Sequence, residues 1–172
     1  MKSPKTLLLA GIFIFSFSCL SAQKANDRYP VGISATVQNG QFGFLVPIWL
    51  NDQISIAPSL SVSVASGVGT EYGIGLVPRY YLRREKVSPF VGIRAAALLS
   101  RPVVNSGFQP VNTTDILLGG AFGADYFFDQ QFAVGIELQA NFTISDENSL
   151  RFNNPGKTNF NTASSIFISI YF

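Results

Sequence analysis

The sequence predicts an all-β chain closed into an eight-stranded antiparallel up-and-down barrel that crosses a membrane with its strands. Three observations carry the prediction: apolar residues recur with a period of two through eight segments, no charge falls on the apolar face of any segment, and the gaps between segments alternate in length. The segments cover residues 29–38, 41–50, 53–65, 70–83, 88–100, 115–128, 131–144 and 160–172.

The seventh segment is the clearest. Phe132, Val134, Ile136, Leu138, Ala140, Phe142 and Ile144 share one face, opposite Gln131, Ala133, Gly135, Glu137, Gln139, Asn141 and Thr143. In the third segment Ile54, Ile56, Leu60, Val62 and Val64 stand opposite serines and an alanine. In the fourth, Tyr72, Ile74, Leu76, Tyr80 and Leu82 stand opposite Glu71, Gly73, Gly75, Arg79 and Arg83. Every charge within the segments (Glu71, Arg79, Arg83, Arg94, Asp115, Asp125 and Glu137) lies on the polar face.

Asn51-Asp52, Arg84 to Val87 and Asp129-Gln130 are tight turns, whereas Ser66 to Gly69, Arg101 to Thr114 and Ser145 to Asn159 are longer and rich in Gly, Asn, Ser and Pro. Asn39-Gly40 is a type I′ hairpin signal, the one short connection on the long side. Short turns at one end and longer loops at the other are the asymmetry of an outer-membrane barrel. Closure then pairs the last strand with the first, so that no strand edge meets lipid.

Ahead of the first segment, Lys2 and Lys5, the apolar stretch Leu7 to Phe17 and the small-residue site Leu20-Ser21-Ala22 form a secretory signal. The apolar stretch is shorter than the roughly 20 residues a spanning helix needs. The expected division is a cleaved signal over 1–22 and a barrel domain over 23–172. Lipidation of Cys19 is the alternative, against which Ser16-Phe17-Ser18 lacks the aliphatic residue expected three positions upstream. Either processing leaves the barrel without a disulfide, since Cys19 is the only cysteine. Loss of Lys2 and Lys5 turns the formal charge of +2 into neutrality. A neutral domain makes nucleic acid an unsuitable partner.

A soluble barrel of the lipocalin type would show the same alternation with its apolar face inside. The polar face decides between them: it consists largely of Gly, Ala, Ser, Gln and Thr, which fit a narrow interior, whereas a water-facing exterior would carry many Lys and Glu. Beyond the signal, Lys occurs at 24, 86 and 157, all outside the segments. Tyr29, Tyr80, Tyr126, Phe128, Phe132 and Phe172 fall near the turn ends on the apolar face, where an interfacial girdle belongs. Trp49 points inward by the same alternation.

With Ile166, Ile168 and Ile170 alternating behind Phe172, the chain resembles the small outer-membrane β-barrel family, similar to the transmembrane domain of OmpA and to OmpX-type and opacity-type proteins. Pro78-Arg79-Tyr80-Tyr81-Leu82 and Gly123-Ala124-Asp125-Tyr126-Phe127-Phe128 resemble recurrent patterns there and identify a fold rather than an activity. The resemblance implies the outer membrane of a Gram-negative bacterium, contact with its lipid, short turns on the periplasmic side with both termini there, and recognition of Phe172 by the barrel-assembly machinery. It differs from OmpA-type proteins in carrying no peptidoglycan-binding domain after the last strand, and its loops are shorter than those of adhesive members. A monomer is expected.

An eight-stranded barrel is just wide enough inside for side chains to fill. Arg79, Arg94, Asp125 and Glu137 point into it from neighbouring strands, with Glu71 and Arg83 on the same face. Arg94 and Glu137 stand at comparable mid-barrel depth, and Arg79 and Asp125 nearer the turn end. Opposite charges buried together must pair, because an isolated one carries a penalty of several kcal/mol. A lumen plugged by salt bridges in a structural envelope protein is the expected outcome. A narrow passive pore and a loop-based adhesion protein are the alternatives.

No catalytic, cofactor or metal site is expected. The chain has no His, which removes Ser-His-Asp hydrolases, His-dependent lipid acyltransferases and most zinc sites. Asp125 and Glu137 do not form a catalytic pair, since a filled lumen lined by Arg offers no substrate cleft. Gly67-Val68-Gly69 and Gly119-Gly120 lack phosphate-loop spacing.

Overall fold

The alternation closes as predicted. The structure is a computed structural model that describes residues 29–38, 40–65, 69–102 and 111–172. Residues 1–28, with the expected signal and Cys19, Asn39, the Ser66 to Val68 connection and part of the Arg101 to Thr114 loop lie outside the described residues.

The strands are β1 (Gly32–Gln38), β2 (Gln41–Leu45), β3 (Ile48–Trp49), β4 (Ile54–Ala65), β5 (Gly69–Tyr81), β6 (Val87–Pro102), β7 (Thr113–Phe127), β8 (Phe132–Ile144) and β9 (Thr158–Tyr171). All neighbouring pairs are antiparallel, and β1 pairs with β9 in the register Gly32↔Tyr171 to Gln38↔Ser165, which closes the sheet on itself. β2 and β3 are two halves of one stave: β2 pairs with both β1 and β4, and β3 with β4. The described barrel thus has eight staves.

The break between the two halves has a chemical cause. Pro47 has no N–H to give to a ladder. Its carbonyl still accepts from Gly32 N at 2.9 Å, and Val46 N donates to Pro58 O at 3.0 Å, so pairing resumes on both sides. Alternation survives the break: Leu45, Pro47 and Trp49 are buried while Phe44, Val46 and Leu50 are exposed.

Two of the tight turns use one device. Asn51 Oδ1 accepts from the backbone N–H groups of Gln53 and Ile54, both at 2.8 Å. Asp129 Oδ1 accepts from those of Gln131 and Phe132, both at 2.7 Å. Each side chain caps its own turn and frees the strand ends to enter the ladder. At the other end Gly40 has φ 75°, a left-handed value that a side chain would strain.

The apolar face is outside. Ile33, Phe44, Ile74, Ile93, Phe122, Ile136, Phe142 and Ile166 are all more than half exposed. A continuous apolar exterior on this scale belongs in lipid, since water-soluble monomers keep such patches small. Among the girdle residues, Tyr29, Tyr80, Tyr126, Phe128 and Phe172 are exposed at the turn-end rim. Phe128 holds Tyr126 and Phe132 with ring centroids 4.9 and 5.3 Å away. Among the described residues no helix is long and apolar enough to cross a membrane.

Candidate functional site: the lumen

The inward faces fill the lumen in layers, beginning with aromatic rings at the turn end. Trp49, Tyr81, Phe90, Phe167 and Tyr171 form one buried cluster. Successive ring centroids lie 4.5 Å apart for Trp49 and Tyr81, 5.3 Å for Tyr81 and Phe90, and 6.3 Å for Phe90 and Phe167. Room for them comes from small neighbours: a Cβ on Gly135 would collide with the Phe167 ring. Arg84 caps the cluster from outside, its guanidinium carbon 3.7 Å from the Trp49 ring centre.

Above the rings sits the first charged layer. Arg79 from β5 lies 4.4 Å from the Phe90 ring centre and 4.6 Å from that of Phe167, a cation held between two π faces. Its Nη2 donates to Glu137 Oε2 at 2.7 Å, and Arg94 Nη1 from β6 donates to Glu137 Oε1 at 2.9 Å. Gln139 Nε2 adds a third bond to the same carboxylate at 2.8 Å, and the Gln139 and Gln38 amides bond each other at 3.0 and 3.1 Å. Glu137 thereby ties three strands to one point.

Asp125 is close by but makes no ion pair within salt-bridge distance among the described residues. Its Oδ2 instead accepts from the Tyr81 hydroxyl at 2.8 Å. The aromatic layer therefore connects to the charged layer through Tyr81 as well as through the rings around Arg79.

A second charged layer closes the loop end, and its key residue comes from a loop. Arg151, between β8 and β9, turns inward; its Nε donates to Asp115 Oδ2 and its Nη1 to Glu71 Oε2, both at 2.9 Å. Its Nη2 reaches Ser100 Oγ at 3.2 Å. Asp115 from β7 also accepts from Asp146 N and from the Ser149 hydroxyl, each at 2.9 Å. Between the two layers is a cavity of about 200 Å³.

The six charges expected in one lumen network therefore separate. Arg79, Arg94 and Glu137 come together, Asp125 lies beside them on Tyr81, and Glu71 joins Arg151 at the far end. Arg83 is a correction. β5 ends at Tyr81, where the chain leaves the ladder through Leu82 N to Pro89 O at 2.9 Å, so the alternation that would have aimed Arg83 inward has stopped. Its side chain is 56% exposed and faces Glu85 at 3.8 Å in the turn.

Arg151 and the aromatic layer were missed by the sequence reading for different reasons. Tyr81, Phe90, Phe167 and Tyr171 fall on the polar face of their segments, so extending the alternation to those positions would have found them. Arg151 sits in an irregular loop, where no period assigns a direction.

No protein-family model matches the chain, and no curated relative matches it. Solved structures do. The N-terminal β-barrel domain of Pseudomonas aeruginosa OprF aligns with a TM-score of 0.65 and 15% identity, over 84% of this chain and 98% of that one. Neisserial surface protein A, NspA, aligns with a TM-score of 0.55 and 15% identity, over 83% and 93%. At such identity the likeness speaks for the fold: an inside-out, closed, eight-stranded antiparallel barrel of the small outer-membrane type, similar to the barrels of OprF and NspA.

Proposed function

We propose that this protein is an integral outer-membrane barrel with a structural role in the envelope, its lumen closed by side chains and its surface in contact with outer-membrane lipid. The observation that carries the reading is the Glu137 carboxylate bound to both Arg79 and Arg94 directly above a layer of packed rings. A path for ions past that level would need the buried pairs to part, leaving charge stranded among apolar groups. Lumen residues Arg79, Arg94, Asp125 and Glu137 hold the plug, Glu71 contributes at the loop end, and no residue acts catalytically.

The pattern of the first residues supports export on a signal over 1–22, with residues 23–172 forming the barrel. The outward alternation through Ile166, Ile168, Ile170 and Phe172 supports delivery of this strand to the barrel-assembly machinery. A monomer suffices for closure, since β1 and β9 leave no edge to share.

Planar-bilayer recording of the purified protein tests the plug. The expected result is no unitary conductance; reproducible unitary steps that Arg94→Ala alters would establish a narrow pore instead. Heat-modifiable gel mobility of the membrane-extracted protein tests the location, and a protein that stays soluble without detergent would overturn it.

A further inference from the structure

At the turn end the lumen is filled by rings, and at the level of the cavity it is not. The difference lies in residue size. Ser59 and Ser61 on β4, Gly73 on β5 and Ala96 on β6 border the cavity, where Tyr81, Phe90 and Phe167 fill the layer beneath. Ser61 stands opposite Gly73 and Gly73 opposite Leu98, so three neighbouring staves bring one large side chain between them at this register. About 200 Å³ is left open.

The space has an apolar wall that rises from a cation. Ala96 and Leu98 follow Arg94 along the inward face of β6 at steps of about 7 Å, and Leu117 on β7 stands opposite Ala96. The Arg94 guanidinium is only half used. Its Nη1 donates to Glu137 Oε1, and no other nitrogen of the side chain has a hydrogen-bond partner among the described residues. Although Arg94 points into the barrel, its side chain is 19% exposed, and it borders the cavity.

The charges on the walls favour an anion. Among the described residues that border the cavity, Arg79, Arg94 and Arg151 are cationic and Glu137 is anionic, and Glu137 is already shared by two of the three. Asp115 and Glu71 are held on Arg151 at the loop end, and Asp125 is turned to Tyr81 below; none of these carboxylates borders the cavity.

We propose that the cavity is a binding site for a small organic anion, a carboxylate with a short aliphatic tail. The carboxylate takes the unbonded edge of the Arg94 guanidinium, and the tail lies along Ala96, Leu98 and Leu117. Two guanidiniums then face two carboxylates, a balanced set where one carboxylate is now shared. Every residue assigned to the site lies on a strand, so the site does not rest on the loops around the mouth. Nor does it rest on the plugged lumen, since a ligand held at Arg94 needs no path through the barrel.

Butyrate is the probe, being soluble in water and small enough for the space. Folded, isotope-labelled protein in detergent micelles is titrated with butyrate, acetate and butylammonium while amide shifts are followed. Butyrate gives saturable shifts centred on residues 94–98 and 117–119. It binds about tenfold more tightly than acetate, the gain from burying two further methylenes. Butylammonium, of the same chain length and opposite charge, gives no saturable shift. Arg94→Gln weakens butyrate at least about tenfold, as loss of a charge-assisted contact does. Ala96→Leu keeps every charge and fills the space, and it abolishes binding; heat-modifiable mobility verifies that each variant is folded.

Butyrate shifts that never saturate, or that fall on the lipid-facing amides alone, would overturn the site. Equal affinity for butyrate and butylammonium, or Arg94→Gln binding as its parent does, would overturn the role of Arg94. Equal affinity for acetate and butyrate, or full binding by Ala96→Leu, would overturn the apolar wall. Bilayer recording judges the plug separately: conductance would end the closed lumen and leave the butyrate result standing.

Discussion

The two ends of the lumen are both closed and are closed by different means. At the turn end, every partner of Glu137 named above comes from a strand, so the barrel cannot form in register without bringing Arg79, Arg94 and Gln139 to it. At the loop end, the carboxylates of Glu71 and Asp115 come from strands but their cation arrives on a loop. The first closure is a consequence of register; the second is a contact that the barrel permits without requiring. Burial does not draw the same line: Glu71 is 35% exposed at the mouth, but Asp115 beside it is as fully buried as Glu137, so the two closures differ in what carries the cation rather than in depth.

If that division holds, the largest loss comes from the turn-end layer. Glu137→Ala leaves the Arg79 guanidinium buried between Phe90 and Phe167 with its carboxylate gone. Breaking a buried pair from one side costs about 3–5 kcal/mol. Denaturant unfolding in lipid vesicles measures this. Replacing Arg79, Arg94 and Glu137 together by Met recovers most of the loss, because both cations leave with the carboxylate they share. A single Glu137→Ala that unfolds like the parent would show that Arg79 is solvated through the lumen, and the contrast between the ends would collapse.

Phe90→Ala follows, at about 3 kcal/mol for a buried ring. The ring is 2% exposed, stacks against Tyr81 and Phe167, and covers one face of Arg79. Combined with Glu137→Ala, the loss is less than additive if ring and carboxylate stabilise the same cation, since contacting residues couple. Strict additivity would make the aromatic and charged layers independent.

The sequence made one of these closures legible and hid the other. Wherever a strand continues, its period of two assigns each side chain a face, which is why Arg79, Arg94, Asp125 and Glu137 were placed inside. The period does not say how far a long side chain reaches. Arg79 was expected at a depth below Glu137 and yet meets it, because a guanidinium spans the offset between layers. Nor does the period mark where it ends, which is how Arg83 was drawn into the set. Pro47 interrupts the hydrogen bonding of one stave without interrupting its alternation, so a break in the ladder left no trace in the pattern. Arg151 lies where there is no period at all.

At the loop end, Arg151→Gln costs about 1–3 kcal/mol, less than the turn-end change because the buried Asp115 carboxylate keeps its bonds from Asp146 N and the Ser149 hydroxyl and Glu71 is part-exposed. The loss is local: amide exchange rises across residues 145–157 while the β8 and β9 ladders keep their protection. Equal loss of protection through both ladders would mean that the loop contact is part of the barrel's cooperative unit, and the two closures would then differ only in where the cation is carried.

The smallest effect is expected at Arg83, and it bears on how the alternation is to be read. Had β5 continued past Tyr81, Arg83 would enter the lumen beneath the aromatic layer and its removal would strand a carboxylate or open a void. Instead the chain turns at Leu82, and Arg83 faces Glu85 across 3.8 Å with both side chains more than half exposed. An exposed pair of that length contributes little, so Arg83→Ala shifts unfolding by less than about 0.5 kcal/mol. Paired with Arg79→Ala, which removes a cation four residues earlier on the same alternation, it measures where the strand's control over side-chain direction ends. Similar losses from the two substitutions would extend β5 beyond Tyr81 and return Arg83 to the lumen; a large loss from Arg79 alone fixes the boundary at the turn.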